Sequence, residues 1–254
     1  ARRQRQMCIR DSYLQELSER IPKEVAFFWT GPSTLASQIS QIDIETMAAI
    51  YHRPIIIWDN IPVNDYQKDP ERLFLTPFAN RSPFLCQSDY QVKGIVSNPM
   101  ISWELSKLTL TDMSHYLWDA NRYQPSHSWL ETLTDYAGDA ELALALQAFA
   151  WHNGNRHLHR DLPFEVEEAL VANDVPTLSA WVAELVELVN TLKKLDKPAF
   201  QQAIAPWFER VEKDQVLWQA ILEQKPHLET LYADLQEDKH RIGCLLYTSP
   251  SPRD

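Results

Sequence analysis

The sequence has 254 residues, of which 44% are hydrophobic and 23% are charged, and its formal net charge is −11 at pH 7. That balance is typical of a globular protein with one large domain or two medium ones. The acidic excess argues against a nucleic-acid partner. No apolar run approaches the roughly 18 residues of a spanning helix, so we expect no membrane span.

Both ends of the chain look like foreign sequence. ARRQRQMCIRDS and CLLYTSPSPRD resemble translations of a sequencing-library adapter, and such segments are excluded from fold reasoning. We expect residues 1–12 and 244–254 to be non-native, and residues 13–243 to be a piece of a longer gene. Removing the first segment, with its net charge of +3, leaves about −14, and only Cys86 remains of the three cysteines. A disulfide framework and a thiolate metal site are therefore excluded, while the localisation stays open.

The first half alternates short apolar runs with helical patterns. The runs are 25–29, 54–58 and 94–96, and each ends in polar or turn-forming residues. The first two runs are separated by a helical pattern over 40–51, and a second such pattern follows over about 103–117. Buried strands that alternate with helices indicate βα units of a parallel sheet. Three such units fit the C-terminal portion of a (β/α)8 barrel over residues 13–125.

The second half, residues 126–243, has apolar residues at helical spacing throughout. Pro163, Pro176 and Pro198 stand where new helices would begin, a position that tolerates the missing N–H. Pro206 falls inside a stripe and should kink or restart that helix. The pattern predicts a helical bundle of about four or five helices, so the fold class is α/β followed by all-α.

Polar clusters follow the three predicted strands. They are Trp29-Thr30-Gly31, the segment from Trp58 to Tyr66, and Ser97-Asn98-Pro99. In a barrel of this kind, side chains just past the carboxyl ends of the strands face the substrate. Carboxylates and amides there suit the hydroxyls of a pyranose, and an indole face suits its apolar side or a small acyl group.

The sequence motifs in these clusters resemble those of glycoside hydrolase family 84. This family contains bacterial β-N-acetylglucosaminidases and the enzymes that remove O-linked GlcNAc from proteins. The resemblance covers roughly residues 25–130 and rests on motifs in the family's order, namely FFWTGP, RPIIIWDNIPVNDY, LFLTPFANR, KGIVSNPM and SKLTL…YLWDANRY. The helical half is loosely similar to the family's post-catalytic region.

The resemblance implies a role for five substrate-binding residues. Asp65 matches an aspartate that hydrogen-bonds the outer hydroxyls of bound GlcNAc, and Asn98 matches the asparagine that joins it. Asn60 matches an asparagine beside the sugar and the catalytic carboxylates. Trp58 and Thr30 match residues that line the N-acetyl pocket. The implied partner is a GlcNAc-containing glycan or glycoconjugate, and no cofactor or metal is implied.

Purely structural roles compete with these assignments. Asn60 and Asn98 could cap turns, Asp65 could cap a helix, and Trp29 and Trp58 could fill a barrel core. On spacing alone these roles are favoured, and the family resemblance reverses the preference. For the neighbouring Asp59 we expect an orientation behind the site, as a structural hydrogen-bond acceptor, and we assign Asn64 and Tyr66 to the scaffold.

No catalytic residue is assigned within the chain. The resemblance implies two adjacent aspartates, one that orients the substrate acetamido group for attack on C1, giving an oxazoline, and one that acts as general acid and then base. This substrate assistance departs from the usual two-carboxylate mechanism of a retaining glycosidase. The sequence contains no Asp-Asp pair. We expect this aspartate pair to lie upstream of Val25 in the parent, meaning the longer protein from which the chain derives. We therefore expect the chain alone to be inactive.

The sequence also offers a possible histidine metal site and a rival, non-catalytic function. His152, His157 and His159 could suggest a metal site, but their spacing fits no helix face, and a polar loop between helices is the better interpretation. The rival function is a non-catalytic carbohydrate-binding or protein-interaction module. An adjacent Asp pair in the preceding sequence would favour the enzyme, and its absence would favour the module.

Overall fold

A computed structural model describes residues 12–65, 73–87, 92–154, 164–226 and 228–237. Both adapter-like ends fall almost entirely outside these ranges, as do Tyr66, His157, His159 and Pro163. The chain divides into two compact units. The first comprises the described residues up to Ile61 together with Phe78–Asn98 and Met113–Tyr123, and the second comprises the remainder.

The first unit is built on a three-stranded parallel sheet with the order β1-β2-β3. The strands are β1 (Phe27–Trp29), β2 (Ile55–Asp59) and β3 (Val92–Ser97). Trp29 pairs with Ile57, and Asp59 pairs with Ser97. The predicted alternation of strands and helices is therefore confirmed, with β1 two residues shorter at its start than the apolar run and β2 one residue longer at its end.

Two helices flank the sheet strands along the chain. Residues 12–20 form α1, and α2 (Gln41–Tyr51) connects β1 to β2. Ser40 caps α2 through a capping box with Asp43, which satisfies backbone N–H groups at the start of the helix. Ile44, Met47 and Tyr51 of α2 pack in one core with the inward residues of β2. This packing covers one face of the sheet and leaves its polar strand ends free to form a site.

A buried cation joins α1 to the sheet. Arg53, which is 1% exposed, donates from Nη2 to the carbonyl of Ile21 at 2.9 Å and from Nη1 to that of Pro22 at 3.2 Å. Its guanidinium also lies 4.1 Å from the centre of the Phe27 ring. Carbonyls and a ring face thus replace water around this charge at the amino end of β2.

The second unit is helical. Its helices after α3 (Trp103–Trp118) are α4 (Pro125–Ala137), α5 (Ala140–His152), α6 (Phe164–Ala172), α7 (Val175–Leu192), α8 (Pro198–Leu222) and α9 (Leu228–Glu237). Pro176 and Pro198 lie in the first turns of α7 and α8, as predicted. Phe149, Phe200 and Phe208 form edge-to-face ring contacts inside this bundle.

The predicted number of helices in the helical half was wrong, since the described residues from α4 onward hold six helices, not four or five. Pro206 was expected to kink or restart its helix, and it does not restart it, because α8 continues through it. The neighbours Ile204, Trp207 and Phe208 are buried, so packing on this face outweighs the hydrogen bond that proline cannot donate. None of the helices that the structure describes is both long and apolar enough to cross a membrane.

Candidate functional site

The candidate site begins where the three parallel strands end. Thr30, Asn60 and Asn98 each follow the last residue of β1, β2 and β3. Because parallel neighbours end at the same edge of a sheet, this topology brings three of the predicted residues to one edge. All three side chains are partly buried. Binding residues at the carboxyl ends of parallel strands are the usual arrangement in α/β proteins.

Asn60 is the centre of a hydrogen-bonded cluster at this edge. Its Oδ1 accepts from the Trp58 indole Nε1 at 3.0 Å and from Asn98 Nδ2 at 3.0 Å. Its Nδ2 donates to the main-chain carbonyl of Thr34 at 2.6 Å. We call Trp58, Asn60 and Asn98 the amide cluster. The structure thus brings three of the five predicted residues into direct contact.

Hydrogen-bond polarity fixes how the amide cluster faces a ligand. An indole N–H only donates and a carbonyl only accepts, so both neighbours require the same orientation of the Asn60 amide. Asn98 must then offer its Nδ2 to Asn60. That leaves the Asn98 Oδ1 as an acceptor, together with one remaining N–H of the same amide. An acceptor next to a donor can bind a hydroxyl group, which both donates and accepts.

The Trp58 ring lies on the side of the sheet away from α2. It is 37% exposed and meets Phe28, which is 59% exposed, edge to face with 5.6 Å between ring centres. Val96, which pairs with Trp58, is 42% exposed on the same side. The three residues form an apolar surface, here called the outer sheet face. Trp58 therefore contributes its ring to this surface and its N–H to the amide cluster.

Asp59 points in the opposite direction, as expected from strand alternation. Its carboxylate is buried and forms a two-point ion pair with Arg81, with Nε–Oδ2 at 2.6 Å and Nη2–Oδ1 at 2.9 Å. Two parallel N–H···O bonds give such a pair a fixed geometry. Asp59 is thus a structural acceptor behind the amide cluster.

Gly31 sets the path of the chain as it leaves β1. Its φ is +97°, and a Cβ added there would lie 2.7 Å from the Cβ of Ala36. Only glycine combines this backbone conformation with so close an approach. Thr30, the residue before it, is partly buried at the end of β1. Its assignment to an N-acetyl pocket stays a prediction.

Asp65 and Asn64 belong to the second unit. Asn64 is buried, and its Oδ1 accepts from the backbone N–H of Ile101 at 3.0 Å. This contact ties two loop segments together and fits the scaffold role expected for it. Asp65 is exposed. Its assignment to the outer hydroxyls of the sugar stays a prediction.

Sequence reasoning missed two members of this region. Thr34 contributes a main-chain carbonyl, and a carbonyl leaves no signature in the sequence. Arg81 contributes the charge that neutralises Asp59. A signal for it existed, because an aspartate on the inward side of a strand needs a cation, and Arg81 stands three residues after the apolar run over 73–78.

His152 lies in the interior of the second unit. It is buried at the end of α5, its Nε2 lies 3.4 Å from Glu184 Oε1, and its ring meets Trp181. Burial lowers the pKa of His152 below its ordinary value, against the opposing effect of the Glu184 carboxylate. Among the residues that the structure describes, no three His, Cys, Asp or Glu side chains are grouped to hold a metal ion.

A match to a family model identifies the family of this chain. The family model described as beta-N-acetylglucosaminidase matches residues 3–151, which include the sheet and the whole amide cluster. The chain belongs to this family. The chain is also similar to O-GlcNAc hydrolases of glycoside hydrolase family 84, which confirms the resemblance seen in the strand-end motifs.

Individual relatives agree with the family assignment. The Protein O-GlcNAcase of Rattus norvegicus and that of Mus musculus are each 35% identical to the chain over 98 residues, which cover 39% of this chain and 10% of the relative. The chain thus spans about a tenth of the curated relatives that it matches.

Solved structures extend the agreement to the fold. A mutant of the Thermobaculum terrenum O-GlcNAc hydrolase is 25% identical with a TM-score of 0.74, and the match covers 91% of this chain and 55% of that one. The structures of CpGH84B and CpGH84D have TM-scores of 0.66 and 0.62 at 21% and 20% identity. Each match covers 91% of this chain, and the matches cover 45% of CpGH84B and 41% of CpGH84D. Because their sequence identity to this chain is low, these two structures support the fold alone.

Proposed function

We propose that the chain supplies the sugar-binding wall of a retaining exo-β-N-acetylglucosaminidase. The observation that carries this proposal is the amide cluster, in which Trp58, Asn60 and Asn98 meet at the carboxyl edge of a parallel sheet in a member of this family. The substrate class is a glycan or glycoconjugate with a terminal β-linked GlcNAc. Neither a metal nor an organic cofactor takes part in the proposed reaction.

The proposal places residues 13–125 in the C-terminal part of a (β/α)8 catalytic barrel and residues 126–243 in a post-catalytic helical domain. The outer sheet face supports the barrel. A parallel sheet normally has both faces covered, yet here Phe28, Trp58 and Val96 remain exposed opposite α2. In a closed barrel, side chains on that side fill the interior. The missing cover would then be the preceding strands.

Each proposed binding residue has a distinct task. The Asn98 amide and the Asp65 carboxylate would bind the outer hydroxyls, while the Trp58 ring and Thr30 would line the N-acetyl pocket. Asn60 would hold Asn98 and lie beside the reacting groups. A rigid wall of this kind helps catalysis by keeping the sugar oriented while charge develops at C1.

The reaction in the intact parent would proceed by substrate assistance. The acetamido oxygen attacks C1, the leaving group takes a proton from a general acid, and the resulting oxazoline is opened by water with the same residue as base. An adjacent aspartate pair would perform these steps. Because the 254 residues contain no Asp-Asp pair, the chain by itself would bind sugar weakly and would not catalyse hydrolysis.

The test uses a parental enzyme that contains this chain, with an aryl β-N-acetylglucosaminide as substrate. A carboxylate that accepts hydrogen bonds from two hydroxyls gains about 1.5 to 3 kcal/mol from each. Asp65→Ala should therefore lower kcat/KM by roughly two to four orders of magnitude, at about 1.4 kcal/mol per decade. Asn98→Ala should act in the same direction but more weakly, because a neutral amide makes weaker bonds.

Asp135 on α4 provides a matched control, since it is an exposed aspartate outside the proposed wall. Asp135→Ala should leave kcat/KM unchanged. If the parent hydrolyses no β-N-acetylglucosaminide but still binds GlcNAc, the carbohydrate-binding module replaces the enzyme. Should Asp65→Ala retain parental kcat/KM, the assignment of the sugar-facing carboxylate is wrong.

A further inference from the structure

Behind the amide cluster lies a buried charge pair that has no direct access to a ligand. The side chains of Asp59 and Arg81 are each 1% exposed, and two hydrogen bonds of 2.6 and 2.9 Å join them. Asp59 stands between Trp58 and Asn60 in the sequence, at the last position of β2. Any movement of its backbone therefore moves both neighbours in the amide cluster.

Arg81 also holds the loop that connects β1 to α2. Its Nη2 donates to the carbonyl of Ala36 at 3.0 Å, in addition to its bond with Asp59. Its backbone forms a parallel bridge with Ile39. The guanidinium therefore fastens this loop to the end of β2.

The same loop carries the acceptor for Asn60. The carbonyl of Thr34 accepts from Asn60 Nδ2 at 2.6 Å, and the carbonyl of Asp59 accepts from the backbone N–H of Asn98 at 2.8 Å. The contacts form a closed loop that runs from Asp59 through Arg81 and the β1–α2 loop to Thr34, and from there through Asn60 back to Asp59. The Asp59–Arg81 pair thus fixes both the Trp58 N–H donor and the Thr34 carbonyl acceptor, and these two groups orient the Asn60 amide.

We propose that Asp59 and Arg81 are positioning residues for GlcNAc recognition, acting through Asn60 to hold the Asn98 amide toward the sugar. This inference rests on the proposed function. Two charges that satisfy each other in a buried site need a fixed geometry, and a planar guanidinium supplies it at three points at once. A displacement of about 1 Å in a substrate-positioning group can cost about a hundredfold in rate.

The decisive experiment is a double-mutant cycle in the parental enzyme, with Asp59→Asn and Asn60→Ala alone and together. Each single variant should lower kcat/KM by about ten- to a hundredfold, with KM raised and kcat lowered. If Asp59 acts through Asn60, the double variant should be little worse than Asn60→Ala alone. Effects that multiply would overturn the proposal.

Arg81→Lys provides a second route if Asp59→Asn does not fold. It keeps the positive charge but loses the planar fork, so kcat/KM should fall about tenfold in a folded protein. Arg53→Lys is the matched control, because Arg53 is also buried in the same unit but lies at the amino end of β2. It should lower the melting temperature and leave kcat/KM unchanged. Equal kinetic losses in both variants would mean that the pair serves stability alone.

A measurement without substrate separates this proposal from the proposed function. Fluorine NMR of protein labelled with fluorotryptophan reports the surroundings of Trp58, whose signal is assigned by its absence in Trp58→Phe. Asp59→Asn and Arg81→Lys should shift that signal, and Arg53→Lys should not. An inactive parent with these shifts would reject the enzyme and retain the positioning pair. An unmoved signal in an active parent would reject the pair and retain the enzyme.

Discussion

Replacing Gly31 by alanine tests how strictly the backbone of the candidate site is determined. Gly31 follows Thr30 at the end of β1 with a φ of +97°, a conformation that side chains with a Cβ rarely adopt. The added Cβ would meet the Cβ of Ala36 at 2.7 Å and the side chain of Ile39 at 3.1 Å. Both neighbours are buried, and Ile39 is wholly inaccessible. Neither can move aside without disturbing the core beneath α2.

The expected loss has two parts. Backbone strain at a position of this kind costs about 1 to 3 kcal/mol, and forcing an extra carbon into a packed core costs about 1 to 3 kcal/mol. Gly31→Ala should therefore lower the free energy of unfolding by about 2 to 6 kcal/mol. Gly138, at the end of α4, has a φ of +71° and no atom within 4 Å of an added Cβ. Gly138→Ala should lose only the strain, about 1 to 2 kcal/mol.

Equilibrium unfolding in urea, followed by tryptophan fluorescence, measures both losses. The midpoint for Gly31→Ala should fall further than that for Gly138→Ala, with the slope of each transition preserved. If Gly31→Ala costs no more than Gly138→Ala, then the close approach to Ala36 does not constrain the chain. The reasoning about the exit from β1 would then be refuted.

Three further predictions concern titratable groups. Because burial lowers the pKa of His152, the unfolded chain binds a proton at this imidazole at a higher pH than the folded chain, so stability should rise with pH up to about 6.5. His152→Phe should flatten this part of a profile of melting temperature against pH. His127→Phe, at an exposed histidine, should not flatten it. Burial, and then the nearby Cys86, raise the pKa of Tyr116 well above its ordinary value, so stability should fall as pH rises past about 10. Tyr116→Phe should reduce that slope, and the part due to Tyr136, whose pKa is also raised by burial, should remain. Although Cys86 is exposed in part, burial of its thiol raises its pKa, so iodoacetamide should alkylate it more slowly at pH 8.5 than in the urea-unfolded chain.

Much of the fold could be predicted because its signals are local. The apolar runs that end at Trp29 and Trp58 are strands, and Ser40 marks the start of α2 as its cap. Pro176 and Pro198 mark helix starts for the same local reason. Pro206 shows the limit of this reasoning, because its effect on α8 depends on what the surrounding turns pack against.

The part of the site that depends on strand topology and on the family's sequence motifs could be predicted. Parallel strands bring Asn60 and Asn98 to one edge, and alternation turns Asp59 away from Trp58. The partner of Asp59 lies 22 residues further along the chain, and only the folded loop brings Arg81 to it. The Thr34 carbonyl could not be foreseen, since every residue carries the same group and tertiary structure alone selects one of them.

Trp58 has a consequence for how this family can diversify. Its ring belongs to the outer sheet face, and its N–H orients the amide that holds Asn98. A substitution that repacks the apolar side therefore also removes a donor from the ligand side. Sequence drift at position 58 should then be accompanied by change at position 60, because the outer sheet face and the amide cluster share one residue. An engineer who wishes to alter one of these two surfaces must redesign the other in the same step.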